Sequence, residues 1–263
     1  MEILKTIILG IIEGVTEFLP VSSTGHLILA GDVLVFTGER AKVFEIFIQL
    51  GAILSVVWLY RARLASIIRG IGTSKANDFL IKIFLAFLPS AIVGLLAHSY
   101  IKHYLFNPIT VAIALVGGGI AIIFIEKAIK KPQVLDIDTI SYKSALGVGL
   151  FQVLSLFPGV SRAGATIMGG LILSLERRVA AEFSFFLAIP TMFAAASFDL
   201  LKGIKYLEPT DLPIFALGFV TAFVSAILVI KVFLRYIARN NFLPFGYYRI
   251  VFGIVALLYY LSL

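Results

Sequence analysis

The sequence predicts an all-α polytopic membrane protein: six transmembrane helices plus two re-entrant helical hairpins, arranged as an inverted-topology internal repeat. Three observations carry that expectation. Of 263 residues, 60% are hydrophobic and only 14% charged, against about 45–50% apolar and about 25% charged in a typical soluble domain. Apolar runs of about 20 residues, the length that crosses a bilayer, recur along the chain. Two further apolar stretches are broken by proline and polar residues at matching places in the two halves. Twenty-two Lys and Arg with fifteen Asp and Glu are too few to cover a compact soluble protein of this length. A soluble enzyme and a disordered chain are thereby excluded.

Taken in order, residues 3–36 are the first broken stretch. They carry Glu13, Glu17, Pro20, His26 and Asp32, and Pro20 bars one continuous helix because it lacks a backbone donor. Spanning helices follow at about 43–60, 79–97 and 108–126. Residues 144–176 form the second broken stretch, interrupted by Phe157-Pro158-Gly159, and three more spans lie at about 180–200, 212–231 and 246–262. Each broken stretch is expected to be two half-helices around a turn. Such backbone survives at membrane depth only where protein or a wet cavity surrounds it.

Charge in the loops sets orientation. Residues 61–82 hold Arg61, Arg63, Arg69, Lys75 and Lys82, residues 127–143 hold Lys127, Lys130, Lys131 and Lys143, and residues 231–249 hold Lys231, Arg235, Arg239 and Arg249. The positive-inside rule assigns these segments to the cytoplasm, so both termini are expected outside. The net charge of +7 is spread over separate loops, which suits lipid headgroups better than a nucleic-acid face. The absence of cysteine excludes disulfides, zinc–thiolate sites and iron–sulfur clusters. The first residues have no basic n-region or small-residue cleavage site, so no removable signal peptide is expected.

Matching features sit at a nearly constant offset. Pro20 and Pro158 are 138 apart, Glu45 and Glu182 are 137 apart, and Pro108 and Pro244 are 136 apart. A single integral-membrane domain over 1–263 is expected, with repeat halves of about 1–126 and 144–263 joined by a cytoplasmic loop, 127–143. Three spans per half is an odd number, so the halves are inverted. Interrupted segments at matching positions point to a site at the midplane.

The chemistry-bearing residues cluster at the two breaks. Glu13 and Glu17, spaced i, i+4, share one helical face. Two carboxylates so close either share a proton, as an acid/base pair, or share a metal ion. Acids at membrane depth mark function. Ser22, Ser23 and Thr24 follow Pro20 and suit either helix capping or nucleophilic attack, with Glu17 or His26 as the adjacent base. Gly159, Ser161, Arg162 and Thr166 bring backbone N–H groups, hydroxyls, a guanidinium and a helix start to the second break, all of which favour phosphate. Glu45, Gln49 and Glu182 either support that site or make polar helix–helix contacts. Asp136 and Asp138, in the most polar loop, are expected to be solvated.

Glu13-Gly-Val-Thr-Glu17-Phe-Leu-Pro-Val-Ser-Ser-Thr-Gly-His26 and Pro158-Gly-Val-Ser-Arg162 resemble the two signatures of the undecaprenyl-diphosphatase family, also called bacitracin-resistance proteins. The resemblance runs along nearly the whole chain and includes Phe44-Glu45, Gln49-Leu50-Gly51 and Glu182-Phe183-Ser184-Phe185. It implies removal of one phosphate from undecaprenyl diphosphate, which recycles the lipid carrier of cell-wall synthesis. It also implies a divalent metal, Mg or Ca, and an active site facing the outer side of a bacterial plasma membrane. The acidic signature maps to Glu13 and Glu17, the serine–histidine stretch to Ser22, Ser23, Thr24 and His26, and the arginine signature to Ser161, Arg162 and Thr166. Asp138 matches a family aspartate. Ala163 departs from the pattern, because many members have Ser after the arginine.

A second lipid-phosphatase family shares short likenesses, Ser23-Thr-Gly-His26 and Ser161-Arg162, but requires a His six residues after the arginine. Met168 stands there, and no His follows His103. The expected activity is therefore phosphoanhydride hydrolysis where the two turns meet. Arg162 and Ser161 would hold phosphate, and Glu17 with Glu13 would bind metal or activate the nucleophile. Ser23 is favoured as that nucleophile over water or His26, and His26 as acid/base or as the group orienting Ser23. A lipid-phosphate flippase or ion-coupled transporter would show the same architecture. Phosphate release in detergent separates the two.

Overall fold

The computed structural model describes residues 2–105, 107–129 and 131–262. Among these there are eleven α-helices and no strand. In chain order they are α1 (Glu2–Thr16), α2 (Ser23–Val33), α3 (Glu39–Leu59), α4 (Arg61–Arg69), α5 (Ser74–Tyr100), α6 (Pro108–Ala128), α7 (Tyr142–Val153), α8 (Arg162–Ile172), α9 (Arg177–Gly203), α10 (Leu212–Ile237) and α11 (Leu243–Ser262). Six segments, built on α3, α5, α6, α9, α10 and α11, are long and apolar enough to cross a membrane, at the six places the hydrophobic runs predict. The chain is a multi-pass membrane protein. Lys130, one of the orienting cations, lies outside the described residues.

Both broken stretches are pairs of short helices, α1–α2 and α7–α8. Non-helical turns at Pro20 and Phe157-Pro158-Gly159 separate them, as the lack of a backbone donor on proline requires. Their backbones match in detail. The non-glycine residues with positive φ among the described residues are Ser22, Val35, Ser161 and Ser174. They form two pairs, Ser22 with Ser161 and Val35 with Ser174, each 139 residues apart. The amides of Leu34, Val35 and Phe36 donate to the carbonyls of Ala30, Asp32 and Gly31, and those of Leu173, Ser174 and Leu175 donate to Gly169, Leu171 and Gly170. Each short helix thus ends in the same left-handed closure, which satisfies its last carbonyls.

Close helix packing rests on small residues. α1 lies along α10, and α7 along α5. A Cβ on Gly10 would stand 2.8 Å from the Gly218 carbonyl oxygen, and one on Gly14 would stand 2.8 Å from the Ser225 Cβ. Such glycines let helix backbones touch where lipid supplies no hydrophobic drive. α6 packs on α11 and α3 on both α9 and α10. The main core gathers Phe18, Phe183, Phe185 and Phe233 around α8 and α9, and a second core gathers Leu9, Phe44, Ile48 and Phe215. Outward faces stay apolar, as at Phe84, Phe124, Val224 and Leu258.

Three connections meet at one end of the bundle. Arg63 pairs with Asp138, whose carbonyl oxygen accepts from Lys82 Nζ at 2.9 Å. Arg177 pairs with the buried Glu126, which also accepts from the Phe242 amide. Asp138 is therefore an ion-paired clasp between the 127–143 connection and helices α4 and α5, with its side chain still 35% exposed, and Asp136 is exposed as expected. Arg249 is not a loop cation. α11 starts at Leu243, so Arg249 lies inside that helix, 1% exposed.

Candidate active site

The two breaks meet, and Glu17 is the point of contact. It follows α1, and its Oε2 accepts from Ser23 Oγ at 2.6 Å, across the first turn. Its Oε1 accepts from Arg162 Nη2 at 3.1 Å, a residue 145 positions away at the start of α8. Ser23 and Arg162 each open the second short helix of their pair. All three side chains are at least nine-tenths buried or nearly so. The acidic and basic turns expected to converge are thus joined by one carboxylate.

Arg162 is held from behind. Nη1 donates to the Ser184 carbonyl oxygen at 3.0 Å and to Ser184 Oγ at 3.1 Å. Nη2 lies 3.3 Å from Met192 Sδ, and the guanidinium sits 5.8 Å from the Phe18 ring centroid. Thr166 Oγ1 donates to the Arg162 carbonyl and shares a 2.7 Å hydrogen bond with Ser184 Oγ. Thr166 therefore braces this cradle. Ser161 Oγ accepts from the Gly164 amide at 3.0 Å and so caps α8. Ser22 caps nothing with its side chain. Both serines hold positive φ, 72° and 74°, a conformation that costs about 1–3 kcal/mol and concentrates at functional turns. Gly159, at φ 93°, is required by space as well: a Cβ there would stand 2.6 Å from the Val111 carbonyl oxygen. Thr24 is half-buried in the first turn of α2.

Glu13 and Glu17 lie one helical turn apart as the spacing predicts, and Glu45 and Arg162 lie within electrostatic reach of Glu13. Among the described residues, both Glu13 carboxylate oxygens and Arg162 Nε are buried with no hydrogen-bond partner. Leaving such groups unpaired costs several kcal/mol in apolar surroundings. One orphan acceptor pair and one orphan donor in the same site suit a cation and an anion arriving together. No group of three or more His, Cys, Asp or Glu side chains able to hold a metal occurs among the described residues. A hard cation held by two carboxylates and completed by phosphate oxygens fits this donor set. Glu182 is elsewhere, paired with Arg178 at 3.0 Å.

His26 is buried. Nδ1 lies 2.8 Å from the Ser22 carbonyl oxygen and Nε2 lies 2.7 Å from the Tyr248 hydroxyl. Arg249, the neighbour of Tyr248, donates to five carbonyls: Pro20 in the first turn, Gly159 and Val160 in the second, and Ala114 and Leu115 on α6. Sequence reasoning missed Tyr248 and Ser184 as site residues and placed Arg249 in a loop. The available signal was an Arg six residues into an apolar helix, where an unpaired charge is costly.

Fold and site together define a class: an integral-membrane protein whose polar chemistry is confined to the junction of two broken helices. The chain belongs to the bacitracin resistance protein BacA family, which matches residues 6–255. A curated relative from Nitrosomonas europaea named undecaprenyl-diphosphatase is 56% identical over 256 residues, 97% of this chain and 94% of its own. Relatives of the same name from Nitrosomonas eutropha and Methylobacillus flagellatus are 53% and 52% identical, the latter over 98% of both chains.

Proposed function

We propose that this chain is a membrane phosphatase that hydrolyses undecaprenyl diphosphate to undecaprenyl phosphate and inorganic phosphate, returning the lipid carrier to cell-wall synthesis. Near full-length similarity to the undecaprenyl-diphosphatases supports the substrate. The observation that carries the mechanism is the chain Ser23–Glu17–Arg162, which joins a hydroxyl, a carboxylate and a guanidinium across the two turns.

Ser23 Oγ attacks the terminal phosphorus while its proton passes to Glu17 Oε2, 2.6 Å away. The bond from phosphorus to the bridging oxygen breaks, and that oxygen leaves with the lipid monophosphate. Water then releases phosphate from the seryl ester. Arg162 turns its unpartnered Nε–H toward phosphate and offsets charge in the transfer, the dominant kind of help in phosphoryl chemistry. Ser22, Thr24, Ser161 and the Gly159 turn shape the phosphate pocket, Thr166 holds Arg162 in place, and His26 serves acid–base transfer. Glu13 and Glu17 would hold a divalent ion, Mg or Ca, which neutralises diphosphate charge when bound.

The α1–α2 and α7–α8 pairs read as re-entrant hairpins within an inverted repeat of about 1–126 and 144–263. Support comes from the two 139-residue pairs of left-handed residues and from α1 packing on α10 as α7 packs on α5. The clustered basic connections favour the cytoplasmic side of a bacterial inner membrane for that end, with both termini outside and the site open outward.

Phosphate release from undecaprenyl diphosphate in detergent tests the reading. The chain should turn over, lose activity to chelator and regain it with Mg or Ca. Arg162→Ala should be folded and nearly inactive. Near-normal release by that variant would refute the site.

A further inference from the structure

His26 is tied at both ring nitrogens, and its partners fix what each nitrogen carries. A carbonyl oxygen only accepts, so the contact with Ser22 requires the proton on Nδ1. In the neutral ring Nε2 is then an acceptor, and the Tyr248 hydroxyl donates to it at 2.7 Å. The ring is also clamped on its face. Phe252, one turn beyond Tyr248 on α11, stacks on it with centroids 4.0 Å apart and planes 4° apart. Tyr248 lies parallel to it as well, at 6°. The bond crosses 222 residues and joins α2 of the first half to the last helix. It also leads from a buried imidazole to a phenol that is 46% exposed.

We infer that Tyr248 is a positioning residue for the reaction, holding His26 in the Nδ1–H tautomer and allowing it to gain and lose one proton at Nε2. This rests on the phosphatase reading of the same site. With His26 neutral, the phenol donates to the Nε2 lone pair. Because that hydroxyl occupies the Nε2 lone pair, a proton reaches the ring only through it: the phenol hands its own proton to Nε2, takes one from the reacting groups in its place, and then accepts from the new N–H. The imidazole stays in one orientation through both states, and the Ser22 carbonyl, which caps the turn that sets Ser23, keeps its donor throughout.

Tyr248→Phe removes the hydroxyl and keeps the ring that stacks beside His26. Turnover of undecaprenyl diphosphate is measured for this variant, for His26→Gln and for the double variant, with the thermal midpoint in detergent alongside. The expected result is a fall in kcat of about tenfold for Tyr248→Phe, the size of one lost hydrogen bond felt in the transition state. KM and the thermal midpoint should stay near the original values. The double variant should be no slower than His26→Gln alone, because both changes break one unit. Unchanged kcat, or multiplicative losses in the double variant, would overturn the assignment. A lower thermal midpoint with unchanged kcat would do the same, since that is a purely structural role. Arg162→Ala run in parallel separates the two levels. If it is inactive while Tyr248→Phe is fully active, only the role of Tyr248 is lost; if it is active, the phosphatase site is lost with it.

Discussion

Glu17 accepts from two donors, and each donor begins a short helix in a different half of the chain. Ser23→Ala should lower turnover by at least about 10³-fold, the scale seen when a nucleophile is deleted from a concerted group. Rapid-quench mass analysis of the unsubstituted enzyme should find phosphate on Ser23, and an unlabelled Ser23 in a competent single turnover would point to direct attack by water. At this scale the sequence was informative wherever burial is expensive. Glu13, Glu17 and Arg162 stood out because charge inside an apolar segment demands a reason. Ser184 did not, because a serine in an apolar helix is ordinary, and its value lies in a contact with Arg162 that folding alone creates. Tyr248 was hidden for the same reason, among many aromatic residues in membrane helices.

The two short helix pairs owe their shape to breaks that were readable as Pro20 and Pro158, and their meeting was expected from the chemistry they carry, but the group that fixes one turn against the other was not readable. Arg249 is that group. Five backbone carbonyls from both turns and from α6 take its N–H groups, and no acidic side chain pairs with it among the described residues. Arg249→Leu would leave the carbonyls of Pro20, Gly159 and Val160 without a donor, at about 1–3 kcal/mol each. It should lower the thermal midpoint in detergent and reduce kcat with it, through loss of the approach between Ser23 and Arg162. Unchanged stability would show that the turns hold each other without it. The helix itself was legible from hydropathy over about 246–262 and starts three residues earlier, at Leu243; Arg249 lay within that span but was counted with the basic connection before it. Helix α4, amphipathic and without a buried residue, escaped a search for long apolar runs.

Across the whole molecule, the basic connections gather at one end, where Arg63 meets Asp138 and Arg177 meets Glu126. The chain has no cysteine, so single cysteines report topology without background. Lys75→Cys and Lys131→Cys should react with an impermeant maleimide only from the cytoplasmic side, and Lys205→Cys and Glu208→Cys only from outside. The opposite pattern would invert the orientation. The junction of the two turns also bears on motion. Arg249 belongs to the last helix yet donates to Pro20 in the first turn, at 3.3 Å, as well as to Gly159 in the second, at 2.8 Å. A carrier that works by alternating access rocks one bundle against the other around its cargo. Here such rocking would pull a buried guanidinium off the carbonyls that hold it. The last helix ties the two turns together at the spot where a carrier would need to part them, and a catalyst needs that spot to stay put.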